Sequence, residues 1–284
     1  MGKIILKSPA KINIGLNIIR KRDDGYHDLE TIFYPLLLSD ILTFEKADET
    51  KLESNSTEIN SLKINLIFTA IELLEYTVDR KLNVKIYLEK NIPIGAGLGG
   101  GSSNAASTLK AINQLFELNL TYDKLSEIAL KLGSDVPFFL EPFPYFASSR
   151  GEIRKNIQLS LSQPILIVNP GIHISTEWAF QKLELTSHQK SLRELCEYST
   201  ISIDDIKDYA TNDFENIVYE KYPKIKSIKD KLDASGADFV SMTGTGSTLY
   251  GVFSNLQKAR WIKEDFDATY FTYINFPVNQ GSIT

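Results

Sequence analysis

Apolar positions along the chain recur with two different periods, and the switches between them mark out the elements. Near the start Ile12, Ile14, Leu16 and Ile18 alternate with polar or small residues, and an apolar run from Leu29 to Leu38 ends at Ser39-Asp40. Alternation of this kind predicts a β-rich opening. The polar stretch Lys46 to Ser56 predicts a surface loop. From Ser61 to Tyr76 the period changes. Leu62, Leu66, Ile67, Ala70, Ile71 and Leu74 fall at helical spacing. Val84, Ile86 and Leu88 alternate again and predict a strand from Leu82 to Lys90. After a glycine-rich stretch, Ala105, Ala106, Leu109, Ile112, Leu115 and Phe116 define one helical face. Leu125, Ile128, Ala129 and Leu132 define a second, which Gly133 ends.

The pattern changes again after Arg150. A buried strand from Ile165 to Val168 ends at Asn169-Pro170-Gly171, and helical segments follow over Ser175–Leu183, Ser191–Glu197, Asp213–Glu220 and Pro223–Leu232. Two strands, Asp238–Met242 and Thr248–Phe253, close on the turn Thr243-Gly-Thr-Gly-Ser247. A helix over Gln257–Asp265 and a strand over Thr269–Phe276 finish the chain. Strands and helices mix without strict βαβ alternation, which predicts an α+β fold with antiparallel sheets. The expected division is 1–155 and 156–284, and there is neither an internal repeat nor a low-complexity tract.

Between the strand at Leu82–Lys90 and the first of the paired helices lies Pro93-Ile-Gly-Ala-Gly-Leu-Gly-Gly-Gly-Ser-Ser-Asn-Ala-Ala106. Glycine has no Cβ and accepts positive φ, so backbone N–H groups of such a loop can converge on an anion at close range. Strand, glycine loop and helix N-terminus together make a phosphate cradle, with Ser103 and Asn104 available as helix caps. Two common versions fail. A P-loop needs lysine where this chain has Gly101. Gly95 to Gly100 matches G-x-G-x-x-G, but a second helix follows at Leu125–Leu132, where a dinucleotide fold needs a strand ending in an acid.

Composition narrows the partners. The chain has 284 residues, 43% hydrophobic, with a net charge of −5, which disfavours a general nucleic-acid binder. One cysteine, Cys196, leaves neither a disulfide framework nor a cysteine metal cage, and reads as a half-buried helix residue. Met1 to Pro9 lacks the apolar length of a signal peptide, position 6 is Leu where a myristoylation signal needs Ser or Thr, and no apolar run has membrane-spanning length. A cytoplasmic chain without nucleic-acid or membrane partners is expected.

A cradle without its own lysine needs a cation from elsewhere. Lys11, between Ala10 and Ile12 in the first alternating strand, is one candidate; its other reading is an ordinary outward lysine. Asp135, in Leu132-Gly-Ser-Asp-Val-Pro-Phe-Phe139, either accepts a proton from a substrate hydroxyl or holds Mg²⁺ near a transferring phosphate, or else caps the next turn. The turn Gly25-Tyr26-His27 either offers a stacking surface to a base or sugar, or is a hairpin tip covering the core. His173 and His188 read as isolated loop residues, and no hydrolase elbow, protein-kinase signature or transition-metal spacing is present.

These segments resemble the GHMP kinases, and more narrowly the family among them that phosphorylates a cytidine diphosphate-linked methylerythritol in the non-mevalonate isoprenoid pathway. The likeness rests on the loop Pro93–Ala106, on Pro9-Ala-Lys-Ile-Asn-Ile-Gly-Leu16, Arg22-Asp-Asp-Gly-Tyr-His-Asp-Leu-Glu-Thr31 and Leu132–Phe139. It continues through Asn169-Pro-Gly171, Ser175-Thr176, Asn212-Asp-Phe-Glu215 and Thr243–Thr248. A departure is Thr245, where serine is expected. The resemblance implies a two-part fold, with an N-terminal part like ribosomal protein S5 domain 2 and a ferredoxin-like C-terminal part. It implies Lys11 and Asp135 as the catalytic pair, and Pro93, Ile94, Gly95, Ala96, Gly97, Leu98, Gly99, Gly100, Gly101, Ser102 and Ser103 around ATP. It implies Tyr26, His27 and Phe180 around the cytosine, with Asn13 and Thr176 orienting the substrate, although Phe180 also reads as helix packing. Mg²⁺ is implied without its ligands, and the chain acts as a monomer or a homodimer.

Overall fold

The computed structural model describes residues 2–61, 65–159, 161–185 and 190–276. Leu62 of the expected helix and His188 lie outside the described residues. The chain forms two compact units that interleave along the sequence: Met1–Ala10, Leu38–Ile94 and Gly99–Pro142 make the first, and Lys11–Leu37, Gly95–Leu98 and Phe143–Thr284 the second. Two long paired strands, β1 (Ile4–Lys21) and β2 (His27–Lys46), contribute to both.

In the first unit, β3 (Lys51–Ser54) follows β2, then α1 (Thr57–Ser61), α2 (Leu66–Val78), β4 (Val84–Glu89), α3 (Gly100–Leu115) and α4 (Tyr122–Leu132). β4 pairs antiparallel with the distal part of β2, in register from Ile41↔Glu89 to Lys46↔Val84. β3 lies parallel to β4 on its other side. The Lys46–Ser56 stretch is therefore not all loop. Lys51 and Lys85 flank Glu53 at 2.8 and 3.5 Å, so the short strand carries charge and pairs with β4 at the same time. The expected helix from Ser61 is α2, which starts at Leu66. Asn65 sets that start, its side chain accepting the N–H of Ile67 at 3.0 Å.

α3 packs against α2, α4 and the 3₁₀ turn Val136–Leu140. Its burial exceeds one apolar face: every residue from Ser103 to Leu109 is buried. The polar ones among them are small. Ser107 accepts from Ser8 at 2.6 Å, and Thr108 donates to the Asn104 carbonyl at 2.8 Å.

In the second unit come β5 (Tyr145–Ser149), β6 (Ile153–Asn156), β7 (Ile165–Asn169), α5 (Thr176–Lys182), a 3₁₀ turn (Leu192–Glu197), α6 (Ile203–Tyr209), α7 (Glu215–Lys221), α8 (Pro223–Ala234), β8 (Phe239–Met242), β9 (Leu249–Val252), α9 (Leu256–Glu264) and β10 (Phe271–Asn275). β5 pairs antiparallel with the proximal part of β2 and with β6. The other four strands form an antiparallel sheet in the order β10-β7-β9-β8. Helices α7, α8 and α9 bury Phe214, Val218, Ile225, Leu232 and Ile262 against Leu166, Val168 and Leu249 of that sheet. Cys196 is partly buried, and that burial pushes its thiol above the ordinary range.

Candidate active site

The glycine stretch is divided between the units, and each part is built differently. In the first unit, Pro93 and Ile94 lead out of β4, and α3 begins at Gly100 with Gly99 as N-cap in the left-handed region (φ 72°). No side chain caps this end. The expectation that Ser103 or Asn104 would do so is corrected: both lie inside the helix, where the Ser103 N–H already bonds to the Gly99 carbonyl at 2.9 Å. Helix geometry leaves the N–H groups of Gly100, Gly101 and Ser102 without intrahelical acceptors. They point, with the helix dipole, to where an anion would sit. Ser103 Oγ and Asn104 Oδ1 are buried without hydrogen-bond partners, and a hydroxyl so placed can serve a phosphate oxygen or a hard cation.

Asp135, also in the first unit, is the N-terminal residue of the 3₁₀ turn Val136–Leu140. Its side chain makes no cap to that turn, so the capping alternative falls away. Its backbone carbonyl accepts from Phe138 at 3.2 Å, which holds the half-buried residue at the turn.

In the second unit Lys11 is 4% exposed, so it is no outward lysine. Its ammonium lies over the Phe33 ring at 5.3 Å and donates to Asn13 Oδ1 at 2.5 Å, and its N–H donates to the Leu98 carbonyl at 2.9 Å. Asn13 is held on every side. Its N–H donates to Thr243 Oγ1 at 2.9 Å, its amide to Thr31 Oγ1 at 2.9 Å, and its carbonyl accepts the buried Tyr250 hydroxyl at 3.0 Å. Thr243 also donates to the Gly97 carbonyl at 3.3 Å, and Thr248 to the Ala96 carbonyl at 2.6 Å. The turn Thr243–Ser247 thus clasps Gly95–Leu98 through backbone and hydroxyl groups. A Cβ on Gly97 (φ +77°) would fall 2.6 Å from the Thr243 carbonyl oxygen, so only glycine admits this approach. His173, which reads as an isolated loop residue, lies against Gly95.

The turn between β1 and β2 carries Tyr26 and His27. Tyr26 is 53% exposed, with the Arg150 guanidinium 3.8 Å from its ring centre. His27 stacks on Phe180 at 4.9 Å, and Phe180 meets Phe214 edge-on at 4.9 Å, so Phe180 both packs and faces His27. Burial, followed by the charge of Lys21, holds the His27 imidazole below its ordinary 6.5. Thr176 and Thr245 bring their hydroxyls within 3.3 Å of each other. The structure therefore joins Lys11, Asn13 and Gly95–Leu98 in one network, and His27 with Phe180 in another. Thr31, Thr243 and Thr248 stand in motifs of the sequence without a role assigned to them there, and the contact of Arg150 with Tyr26 escaped the sequence reading. A hydroxyl serving a carbonyl more than a hundred positions away has no local signature.

The two parts of the chain match known families. Residues 65–141 match the GHMP kinases N terminal domain, and residues 177–271 match the GHMP kinases C terminal region. A 4-diphosphocytidyl-2-C-methyl-D-erythritol kinase of Prosthecochloris aestuarii is 39% identical over 95% of this chain and 96% of its own length. One of Thermoanaerobacter pseudethanolicus is 37% identical over 99% and 98%. A crystal structure of a 4-(cytidine 5'-diphospho)-2C-methyl-D-erythritol kinase superposes with a TM-score of 0.80 at 29% identity, covering 96% of this chain and 98% of that one.

Proposed function

Since the chain belongs to the 4-diphosphocytidyl-2-C-methyl-D-erythritol kinase family of the GHMP kinases, we propose that it moves the γ-phosphoryl group of ATP onto the 2-hydroxyl of 4-diphosphocytidyl-2-C-methyl-D-erythritol. The reaction belongs to the non-mevalonate isoprenoid precursor pathway. The observation that carries this reading is the uncapped N-terminus of α3 behind a glycine loop, in a chain alike to these kinases over nearly its whole length.

Phosphoryl transfer asks for positioning and charge stabilisation more than for covalent chemistry by the protein. The backbone of Pro93–Ser103 holds the ATP phosphates. Asp135 takes the proton of the substrate hydroxyl as its oxygen bonds to the γ-phosphorus. The bond from that phosphorus to the β–γ bridging oxygen breaks, and ADP leaves. Lys11 stabilises the charge on the moving group. Asn13, which fixes the Lys11 ammonium, orients the substrate together with Thr176. Tyr26, His27 and Phe180 enclose the cytosine. Residues 1–155 form the ATP-binding domain and 156–284 the C-terminal domain.

The donors fit Mg²⁺ that arrives with the nucleotide. Among the described residues no group of three or more His, Cys, Asp or Glu side chains is placed to hold a resident metal. Magnesium in kinases is held by one or two protein oxygens plus phosphates. The Ser103 hydroxyl and the Asp135 carboxylate are such oxygens. Bound there, Mg²⁺ would supply neutralisation of the phosphate charge. Among the described residues no helix is long and apolar enough to cross a membrane, and we place the enzyme in the cytoplasm.

A substrate panel tests the reading. ADP release coupled to a reporter should be fast with the cytidyl substrate and near background with mevalonate, homoserine and galactose. Preference for one of the other three would make the chain a different GHMP kinase, and no turnover with any would make it a non-catalytic member.

A further inference from the structure

Asn212-Asp213-Phe214-Glu215 holds no residue of the catalytic pair, the glycine loop or the base site, yet three parts of the second unit meet on it. The stretch docks on β1 just past Asn13. Leu16 and Asn212 form a parallel bridge, the Leu16 N–H donates to the Thr211 carbonyl at 2.7 Å, and the Asp213 N–H donates to the Leu16 carbonyl at 3.0 Å. Asp213 Oδ2 accepts the Ile18 N–H at 2.7 Å. Phe214 is fully buried and meets Phe180 edge-on. Glu215 Oε1 accepts the Met242 N–H at 2.7 Å and the Ser241 hydroxyl at 2.9 Å. Asn212 is 6% exposed. Its side-chain amide donates to the Met242 carbonyl at 2.7 Å and to the Gly244 carbonyl at 2.9 Å, and its Oδ1 accepts the Phe214 N–H at 3.0 Å.

Part of this is edge protection. β8 is an outer strand of its sheet, so the polar groups of Met242 need partners beyond β9, and Glu215 and Asn212 supply them. Gly244 is different. It stands two residues past the end of β8, in the turn itself, and the second N–H of the same amide holds its carbonyl. Asparagine and glutamine are the side chains that carry two donors on one uncharged nitrogen. The two carbonyls that Asn212 holds flank Thr243, which reaches the site. Thr243 Oγ1 accepts the Asn13 N–H at 2.9 Å and donates to the Gly97 carbonyl at 3.3 Å. Its own carbonyl oxygen lies 2.6 Å from where a Gly97 Cβ would be, and a Cβ on Gly244 would lie 3.4 Å from the Gly97 oxygen. Peptide units are planar and rigid, so holding the carbonyls of 242 and 244 from behind fixes the face that Thr243 turns toward Gly97. The turn has glycine at 244 and 246, and its backbone has wide freedom unless something restrains it.

We propose that Asn212 is a positioning residue of the nucleotide site: its amide holds the Thr243–Ser247 turn against Gly95–Leu98, so that this part of the glycine loop is set before ATP arrives. This rests on the ATP reading above. Asn212 acts through Thr243 and not on the nucleotide itself.

The test is a cycle of four full-length proteins titrated with ATP by calorimetry: wild type, Asn212→Leu, Thr243→Val and the double variant. Leucine has a similar volume, carries no charge and removes both donors to the turn. Asn212→Leu should weaken ATP about tenfold, the loss of a hydrogen-bonded restraint, and Thr243→Val about as much. Because one residue acts through the other, the double variant should bind ATP less than about threefold more weakly than Thr243→Val alone. A merely structural role for Asn212 would multiply the two losses. A double variant about threefold or more weaker than Thr243→Val therefore overturns the proposal, as does a change below about threefold in Asn212→Leu. A position whose variant does not fold by circular dichroism is retested as alanine under the same criteria. Wild-type turnover of the cytidyl substrate, assayed alongside, separates the two ideas. Its absence overturns the functional reading, and the ATP cycle still decides the role of Asn212. A wild-type chain that binds no ATP overturns both.

Discussion

Asp135 and His27 show how much a single side chain is asked to do. Asp135 does not cap the turn it begins, so removing its carboxylate takes nothing from that turn's capping. Asp135→Ala should bind ATP normally, while kcat falls about 10²–10⁴-fold, the usual worth of a positioned proton acceptor. Titration of ATP beside single-turnover kinetics checks both halves, and near-normal kcat would remove Asp135 from the mechanism. His27 makes a prediction about pH. Its imidazole is held below 6.5 in the fold, so the native state keeps it neutral where the unfolded chain has begun to bind a proton. This contribution to stability is full at higher pH and is lost as pH falls through 6.5 toward the depressed folded value. While neutral the ring offers the cytosine both a donor and an acceptor, and the acceptor is lost only as pH falls past 6.5 to the depressed value at which the folded ring protonates. KM for the cytidyl substrate should be flat at neutral pH and rise on acidification, with KM for ATP unmoved. In His27→Gln the acid rise should vanish. A rise that persists in that variant would assign it to another group.

Among elements, the decisive contact is between two glycine turns of the second unit, Gly95–Leu98 and Thr243–Ser247. Gly97 stands at φ +77° with two backbone carbonyl oxygens 2.6 and 3.0 Å from where its Cβ would be. Gly97→Ala should cost about 2–4 kcal/mol from left-handed strain and overpacking and should abolish ATP binding. Gly101 is the control. A Cβ there meets only Leu66, at 4.0 Å, inside a helix. Gly101→Ala should leave the melting temperature equal or slightly raised. Thermal melts of the two variants decide between a steric cradle and a flexible linker.

Periodicity made some elements legible and hid others. β4, α4, α8 and the hairpin β8–β9 follow their apolar spacing within a few residues. β3 was hidden because an edge strand that pairs through its backbone needs little apolar sequence. β5 and β6 are five and four residues long, too short to establish a period. α6 begins on the capping box Ser202–Asp205, a signal that is local and readable but was passed over amid polar neighbours.

For the molecule as a whole, the order of elements and the mixed architecture were legible, but the interchange of segments between the compact units was not. The two units exchange segments at Ala10–Lys11, Leu37–Leu38 and inside the glycine stretch, and no composition change marks those points. The site followed the same rule. Motifs named Lys11, Asp135 and the loop because each is a run of neighbours in sequence. Thr243 stood in a motif but its role was not legible, because its partners lie 230 and 146 positions away. Burial pattern and charge gave no warning of pairs that only the fold creates.

The central claim is a position-specific phosphoryl transfer, and phosphorus NMR of the product tests it most directly. Incubation with ATP, Mg²⁺ and 4-diphosphocytidyl-2-C-methyl-D-erythritol should yield ADP and one new phosphomonoester signal, with carbon–phosphorus coupling that places it on the 2-hydroxyl carbon. A monoester on another hydroxyl, or ATP consumed to ADP and free phosphate with the cytidyl substrate unchanged, would contradict the account.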